Sequence, residues 1–446
     1  MLTPPTVNMN IVVIGSGARE HALVWKLAQH STATLYNYGP TTNPGIVPLV
    51  QEIGIGDVTA VADVVQWCQE RQVTIAWIGP EAPLAAGLVD ALEGLGISCI
   101  GPTKKLAQLE SSKSFTRQLL QKYQVPGSPQ YQVFTTLAGV EDFIRSLNDA
   151  VVVKPDGLTG GKGVRVMGEQ LQQRADAVAY CAELLSHHGQ RVVVEEKLIG
   201  QEFSLMSMAD GKNLVHLPPV QDHKRALNGD LGSNTGGMGS YSAANHSLPF
   251  LTAADIAAAQ RINERTLEAI EEEFHERYKG IMYGGFMAVR DGVRLIEYNA
   301  RFGDPEVMNI MAVLDTDLVT ITDHILNGTL DQCTVQWRPQ ASVCKYVVPV
   351  GYPDQPVSNV SIDVGQVDTA SVQLFYGAVD QTTTGLVMKG SRAIAVVAVA
   401  DTITAAEQQV EQQIQRIIGP IYHRADIGTA ALINQRVTML KQLRHG

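Results

Sequence analysis

Glu297, Asn299 and Arg301 stand two residues apart in the run from Val293 to Glu306. In a strand, residues i, i+2 and i+4 project from one face. A carboxylate, an amide oxygen and a guanidinium would therefore leave one surface side by side. Glu and Asn supply the hard oxygen ligands that Mg²⁺ takes alongside substrate phosphates. Arg301 offers a planar fork suited to a carboxylate or a phosphate. A surface strand with alternating polar residues would show the same three positions, so a second cluster decides between the readings. Gly157-Leu-Thr-Gly-Gly-Lys-Gly163 carries four glycines in seven residues, just after a β-rich run containing Lys154. Glycines let backbone N–H groups approach phosphates closely, and Lys154 and Lys162 add positive charge. A Walker loop needs Ser or Thr after its lysine; Gly163 stands there instead. Two sites that each make sense around a metal nucleotide outweigh either alone.

Three further runs carry polar chemistry. Ile11-Val-Val-Ile14 leads into Gly15-Ser-Gly-Ala-Arg-Glu-His21, a strand feeding a helix N-terminus. NAD is disfavoured, because Glu20 occupies the third-glycine position and no acid ends the second strand near Tyr36. A phosphate-bearing small substrate at the helix N-terminus and a plain tight turn both remain compatible with the motif. Glu195-Glu-Lys-Leu-Ile-Gly-Gln-Glu202 leaves a strand through a bend that can offer backbone groups to adenine and an acid to ribose. Gln221-Asp-His-Lys-Arg225 and Asn234-Thr-Gly-Gly-Met-Gly239 form one long polar loop, and loops of that length are usually functional or disordered. His21, His216, His223 and His246 show no paired metal spacing, and no nucleophile elbow is present.

The chain has 446 residues, 45% hydrophobic and 18% charged, which suits a multidomain soluble protein. A net charge of −11 with no basic run argues against nucleic-acid binding. The five cysteines have no ligand spacing and read as free thiols of a reducing cytoplasm. No signal-peptide pattern or membrane-length apolar stretch appears.

These groups need elements to hold them. Residues 10–110 alternate strand and helix patterns, as a parallel α/β unit should. Residues 111–200 give a capped helix from Ser111, a turn-rich linker at 124–129, and then strand, Gly-rich hairpin, strand, helix and strand. That order suggests a small mobile lid. Residues 201–335 contain the polar loop, read without strands, and one helix from about Ala254 to Lys279, capped by Thr252 with Asp255 and stopped at Gly280. Residues 336–446 resume short strands with a helix near 404–417. The expected divisions are therefore 1–110, 111–200, 201–335 and 336–446.

In this order, Gly15–His21, Gly79-Pro-Glu-Ala-Pro83, Lys154 with the 157–163 loop, Gln221–Arg225, Asn234–Gly239 and Asn299–Glu306 resemble the ATP-grasp ligases. Within them the likeness is to the phosphoribosylamine–glycine ligase family of purine biosynthesis, over nearly the whole chain. The resemblance implies a mixed α/β and α+β ATP-grasp fold, with an N-terminal parallel α/β domain and a small β-rich C-terminal domain. It implies ATP and Mg²⁺ or Mn²⁺ as cofactors, with Glu297 and Asn299 on the metal. Lys113, Lys154, Gly160, Gly161, Lys162 and Gly163 would face the ATP phosphates, Glu195, Glu196 and Leu198 adenine, and Glu202 ribose. Gly15, Gly17, Glu81, Asn234, Thr235, Gly236, Gly237, Arg301 and Asp304 would bind substrates. Asp222 and Lys224 would join Lys154 and Arg301 in catalysis. The family often carries a further metal contact before the Phe-Met of the preceding strand, where this chain has Gly285.

The implied reaction phosphorylates glycine and passes the glycyl group to the amine of 5-phosphoribosylamine. Arg301 would orient either the glycine carboxylate or the ribose phosphate, and no general base is assigned. The partners implied are these two small molecules and, transiently, the enzyme that supplies the amine. A cytoplasmic monomer or homodimer is expected, without nucleic acid or membrane. The rivals are a related ligase activating formate or bicarbonate, a non-catalytic nucleotide-binding protein, and a dehydrogenase.

Overall fold

The computed structural model describes residues 9–29, 33–158, 160, 163–186 and 189–446. Residues 9–110 form a five-stranded parallel sheet in the order Glu52–Ile55, Ala33–Gly39, Met9–Ile14, Ile75–Ile78, Ser98–Ile100. The central strand is covered on both faces: Ile11, Val12, Val13 and Ile14 are all fully buried, hence their unbroken apolar run. Strand order reverses between Met9–Ile14 and Ile75–Ile78. Ligands of open α/β sheets bind outside the carboxyl ends of strands at such a reversal. The helices of this domain include Val61–Glu70, Glu81–Ala86 and Leu88–Glu93, the last two broken from each other at Gly87 with φ +94°.

Ser112 caps the helix Lys113–Lys122, its hydroxyl accepting from the Phe115 amide at 3.1 Å. An antiparallel sheet follows, ordered Tyr131–Phe134, Val192–Glu196, Val151–Pro155, Arg165–Val166. With the helices Val140–Ser146 and Arg174–Leu185 it has a core of its own, including Phe134, Ile144, Val153, Cys181 and Val194. A core separate from the rest is what a lid requires if it is to move as a unit.

The central sheet is antiparallel, ordered Leu214–His216, Gln201–Asp210, Lys279–Val289, Gly292–Asn299. Its helix, Ala253–Phe274, has the expected Thr252–Asp255 capping box. It ends five residues before Lys279, because His275 takes φ +54° and Lys279 and Gly280 already belong to the next strand. The polar run after Gln221 is not a plain loop. It contains the strand Gln221–Asp222, a hairpin of Arg225–Leu227 with Leu231–Asn234, and the strand Gly239–Ser242.

Two of those short strands extend the last sheet, ordered Gln221–Asp222, Gly239–Ser242, Ala341–Pro349, Ile394–Ala400, Gln373–Tyr376. The loop is thereby bolted to residues 341–400. The helix expected near 404–417 is Ile403–Ile414, and a further helix, Ala430–His445, carries too weak an apolar stripe to be read from sequence. No helix among the described residues is long and apolar enough to cross a membrane.

Candidate active site

The Gly15 and Glu81 segments leave the carboxyl ends of the two strands flanking the reversal, so both reach the same crevice. Gly15 has φ +108°, and a Cβ there would lie 2.7 Å from Glu20 Cγ and 3.0 Å from Pro80. The Gly17 amide donates to Glu20 Oε2 at 2.7 Å, while Arg19 Nε lies 2.6 Å from Oε1. This is why a glutamate stands where a dinucleotide loop has its third glycine. The chain supplies its own anion to that first N–H.

The strand carrying Glu297 ends at Asn299, so Arg301 lies just beyond it. Arg301 NH2 still donates to Asn299 Oδ1 at 3.3 Å, which keeps the three groups together. The guanidinium also lies 3.3 Å from Glu81 Oε2 and 3.0 Å from Glu110 Oε1. Burial opposes its charge, but Glu110 and Glu81 outweigh it and raise its hold on the proton. Burial likewise works against Glu81, whose carboxyl is nonetheless held below the ordinary range by Arg301 and Arg19. Arg301 thus joins the central sheet to the crevice of the N-terminal domain.

Lys113 opens its helix and donates to the Gly157 carbonyl at 2.8 Å, tethering the root of the Gly-rich loop. Lys154 Nζ lies 2.7 Å from Glu195 Oε2 and 3.2 Å from the Ile296 carbonyl. Arg117 grips the same carboxylate with Nε at 2.6 Å and NH2 at 3.0 Å. Burial opposes the Glu195 charge, but Arg117 and Lys154 prevail and hold the acid near about 2. Its side chain is fully engaged. Glu196 turns the other way, accepting from the Gln130 amide at 3.0 Å. Glu202 pairs with Lys224. Burial would lower the Lys224 proton affinity, yet Glu202, Glu297 and Asp222 raise it.

Glu297 differs from all of these. Among the described residues it has no ion pair within 4.0 Å and no hydrogen-bonded partner. Burial would push its acid up, but the fields of Lys224, Lys154, Lys113 and Arg301 hold it below the usual range. An ionised, uncommitted carboxylate beside an amide oxygen fits a hard divalent cation. No three His, Cys, Asp or Glu side chains converge on one point among the described residues. An ion at Glu297 and Asn299 would therefore fill its shell from phosphate and water, the habit of Mg²⁺. Gly285 lies opposite Glu297 on the neighbouring strand, beside a bulge. A Cβ there would meet Glu297 Cγ at 3.6 Å, ordinary contact distance, so the position has room for a side chain.

The loop after Gln221 closes the other side. Thr235 donates through its amide (2.7 Å) and hydroxyl (2.9 Å) to the Lys224 carbonyl, and its Oγ1 accepts from the Gly237 amide at 3.0 Å. Gly237 has φ +112°, and a Cβ would lie 2.5 Å from Pro305 Cδ and 2.6 Å from Asp222 Oδ1. Asp222 is raised well above the usual carboxylate range by burial and by Glu306, itself bonded by the Tyr283 hydroxyl at 2.7 Å. Asp304 accepts from the Tyr346 hydroxyl at 2.6 Å and forms an ion pair with Arg392, NH2 lying 3.2 Å from Oδ2.

Gly161 and Lys162 lie outside the described residues; Gly160 has φ +56°, and the Gly163 carbonyl accepts from Tyr180 at 2.7 Å. Asn234 ends the hairpin, exposed. Four residues of this constellation escape a sequence reading. Arg117 carried a signal, one helical turn after Lys113, and Glu306 lay within the Asn299–Glu306 run. Glu110 and Arg392 carried none, since each arrives from a segment without a motif.

Comparison with known proteins places this geometry. Residues 9–110, 111–307 and 342–430 match the models of the phosphoribosylglycinamide synthetase N domain, ATP-grasp (A) domain and C domain. A phosphoribosylamine–glycine ligase of Methanosarcina barkeri is 44% identical over 438 residues, 98% of this chain and 100% of its own. That of Methanocaldococcus jannaschii is 45% identical over 444 residues, again 98% and 100%. The crystal structure of phosphoribosylamine–glycine ligase from Thermotoga maritima superposes with a TM-score of 0.80 at 26% identity, covering 94% of this chain and 100% of that one. A biotin carboxylase of Campylobacter jejuni, in complex with an ATP analogue, shares the fold at TM-score 0.75 and 13% identity, covering 97% and 98%.

Proposed function

The chain belongs to the phosphoribosylglycinamide synthetase family, and from that premise we propose that it joins glycine to 5-phosphoribosylamine at the expense of ATP. It is a carbon–nitrogen ligase of the ATP-grasp fold, acting in purine synthesis. A glycine carboxylate oxygen attacks the γ-phosphorus, ADP leaves, and glycyl phosphate forms. The amine then attacks the acyl carbon; phosphate departs, the nitrogen loses a proton, and glycinamide ribonucleotide results.

The observation that carries this reading is Glu297, ionised and uncommitted among Lys113, Lys154, Lys224 and Arg301. Glu297 and Asn299 would hold the divalent cation, for which we favour Mg²⁺; when bound it neutralises charge on the phosphates. Lys113 and Lys154 offset charge as the γ-phosphoryl group transfers. Adenine lies against the bend after Glu195. There the Leu198 amide donates to no other described residue, and the Lys197 amide is already spent on the Ala150 carbonyl at 2.8 Å. Arg301, linked to Glu81, aligns the acyl acceptor arriving from the crevice with the phosphorylated glycine. Asp222, Lys224 and the 234–237 loop enclose glycine. The work is positioning and charge neutralisation, with no covalent intermediate on the protein. We place the reaction in the cytoplasm.

The test is ADP release with Mg-ATP, glycine and freshly generated phosphoribosylamine, each omitted in turn. Release that needs both glycine and amine, with glycinamide ribonucleotide formed, supports the reading. Release with formate or bicarbonate instead would keep the fold and replace the substrate.

A further inference from the structure

Arg392 lies in Lys389-Gly-Ser-Arg392, far in sequence from every motif, yet its guanidinium reaches into the substrate side of the site. NH1 donates to the carbonyls of Gly236 (2.7 Å), Gly237 (3.1 Å) and Asp304 (3.0 Å), and NH2 lies 3.2 Å from Asp304 Oδ2. The group stacks over the Tyr346 ring at 4.7 Å, and the Tyr346 hydroxyl holds the other Asp304 oxygen at 2.6 Å. A Cβ on Gly236 would lie 3.0 Å from the guanidinium carbon, so a side chain there would push the fork back by a few tenths of an ångström. One planar cation therefore fixes two carbonyls of the 234–239 loop and the turn after Phe302.

We propose that Arg392 is a positioning residue for the glycine subsite, through which, together with Tyr346, the C-terminal domain shapes the site. The inference rests on the glycine-ligating reaction above. The loop it fixes is flanked by Asp222, Asp304 and Glu306, the first crowded against Gly237. Asp222 and Glu306, whose charged forms are opposed by burial and, at Asp222, by the neighbouring Glu306, favour an arriving ammonium over a phosphate. Glycine carries the first and phosphoribosylamine the second. Losing the fork should therefore tell on glycine and spare the nucleotide, whose lysines lie on other elements.

The test is steady-state kinetics on the full chain with Arg392→Gln, Arg392→Lys and Tyr346→Phe. Nucleotide Kd is measured by calorimetry and folding by thermal melting. Arg392→Gln is expected to raise the KM for glycine about 10- to 100-fold, as expected for lost charge-assisted hydrogen bonds. The KM for the amine and the nucleotide Kd should stay within about twofold. Arg392→Lys should recover part of the loss, because an ammonium keeps the charge but not the fork. Tyr346→Phe, which frees one Asp304 oxygen, should raise the glycine KM less. A glycine KM within twofold of wild type in all three variants overturns the proposal. So does a uniform rise in every KM with a weakened nucleotide Kd, the mark of a merely structural residue. Should Arg392→Gln fail to fold, Arg392→Lys and Tyr346→Phe decide. A wild-type chain that makes no glycinamide ribonucleotide would instead overturn the reaction itself.

Discussion

Glu195 in the sheet of residues 131–196 and Glu297 in the central sheet both lie in the field of Lys154, and cations surround both, yet the two are held in opposite ways. Glu195 spends both oxygens on Arg117 and Lys154 at 2.6–3.0 Å. Glu297 feels four cations and is bonded to none among the described residues. A buried carboxylate fully paired by side chains is structural, and breaking the pair leaves its partners as the cost. One kept ionised without a partner is held ready for something that the protein alone does not provide. Residue type does not separate the two; their hydrogen-bond partners do.

The contrast breaks most visibly if Glu297 is neutralised. Glu297→Gln should cut turnover at least about 10²- to 10³-fold, the range seen when a preorganised electrostatic group is removed, while the melting temperature stays within a few degrees. Activity within tenfold of wild type would remove the metal assignment. Glu195→Gln should do the reverse, destabilising the fold by ~3–5 kcal/mol because Arg117 and Lys154 lose their buried partner. Denaturant unfolding reads that directly.

The same pair gives a pH signature. Glu195 is held down from 4.5 to about 2, so its contribution is full above 4.5 and is lost as pH falls toward 2. The stability difference between wild type and Glu195→Gln should narrow across that window. Lys113→Met should raise the KM for ATP about tenfold, one charged hydrogen-bond donor having been lost, with the glycine KM little changed. Gly285→Gln should have the smallest effect. The position has room beside Glu297, and an added amide oxygen should lower the metal concentration for half-activation a few-fold (~1 kcal/mol or less). No change in that constant would mean that the ion sits on the other side of Glu297.

Legibility in the sequence followed the same division. Groups carried in one run could be read together: strand alternation places Glu297 and Asn299 on one face, and Arg301, just past the strand, stays with them through its bond to Asn299. The apolar run Ile11–Ile14 and the loop after it likewise gave the parallel domain. The polar stretch after Gln221 hid its strands because they are two to four residues long and rich in small and charged residues, and because Gly239–Ser242 finds its partner, Ser342–Lys345, over a hundred residues away. Arg392 and Glu110 were invisible for a related reason: each matters only through contacts made by the folded chain. The Glu195 segment stood out in the sequence, while the commitment of its carboxylate depended on Arg117 from the helix Lys113–Lys122.

The most direct test is Mn²⁺ binding in the presence of ADP, followed by electron paramagnetic resonance, for wild type, Glu297→Gln and a folded preparation of Glu195→Gln. The account predicts tight binding in wild type, a loss of at least about tenfold in affinity for Glu297→Gln, corresponding to ~1.4 kcal/mol, and a smaller change for Glu195→Gln. Equal Mn²⁺ affinity in wild type and Glu297→Gln would contradict it, and would leave the uncommitted carboxylate without a metal to hold.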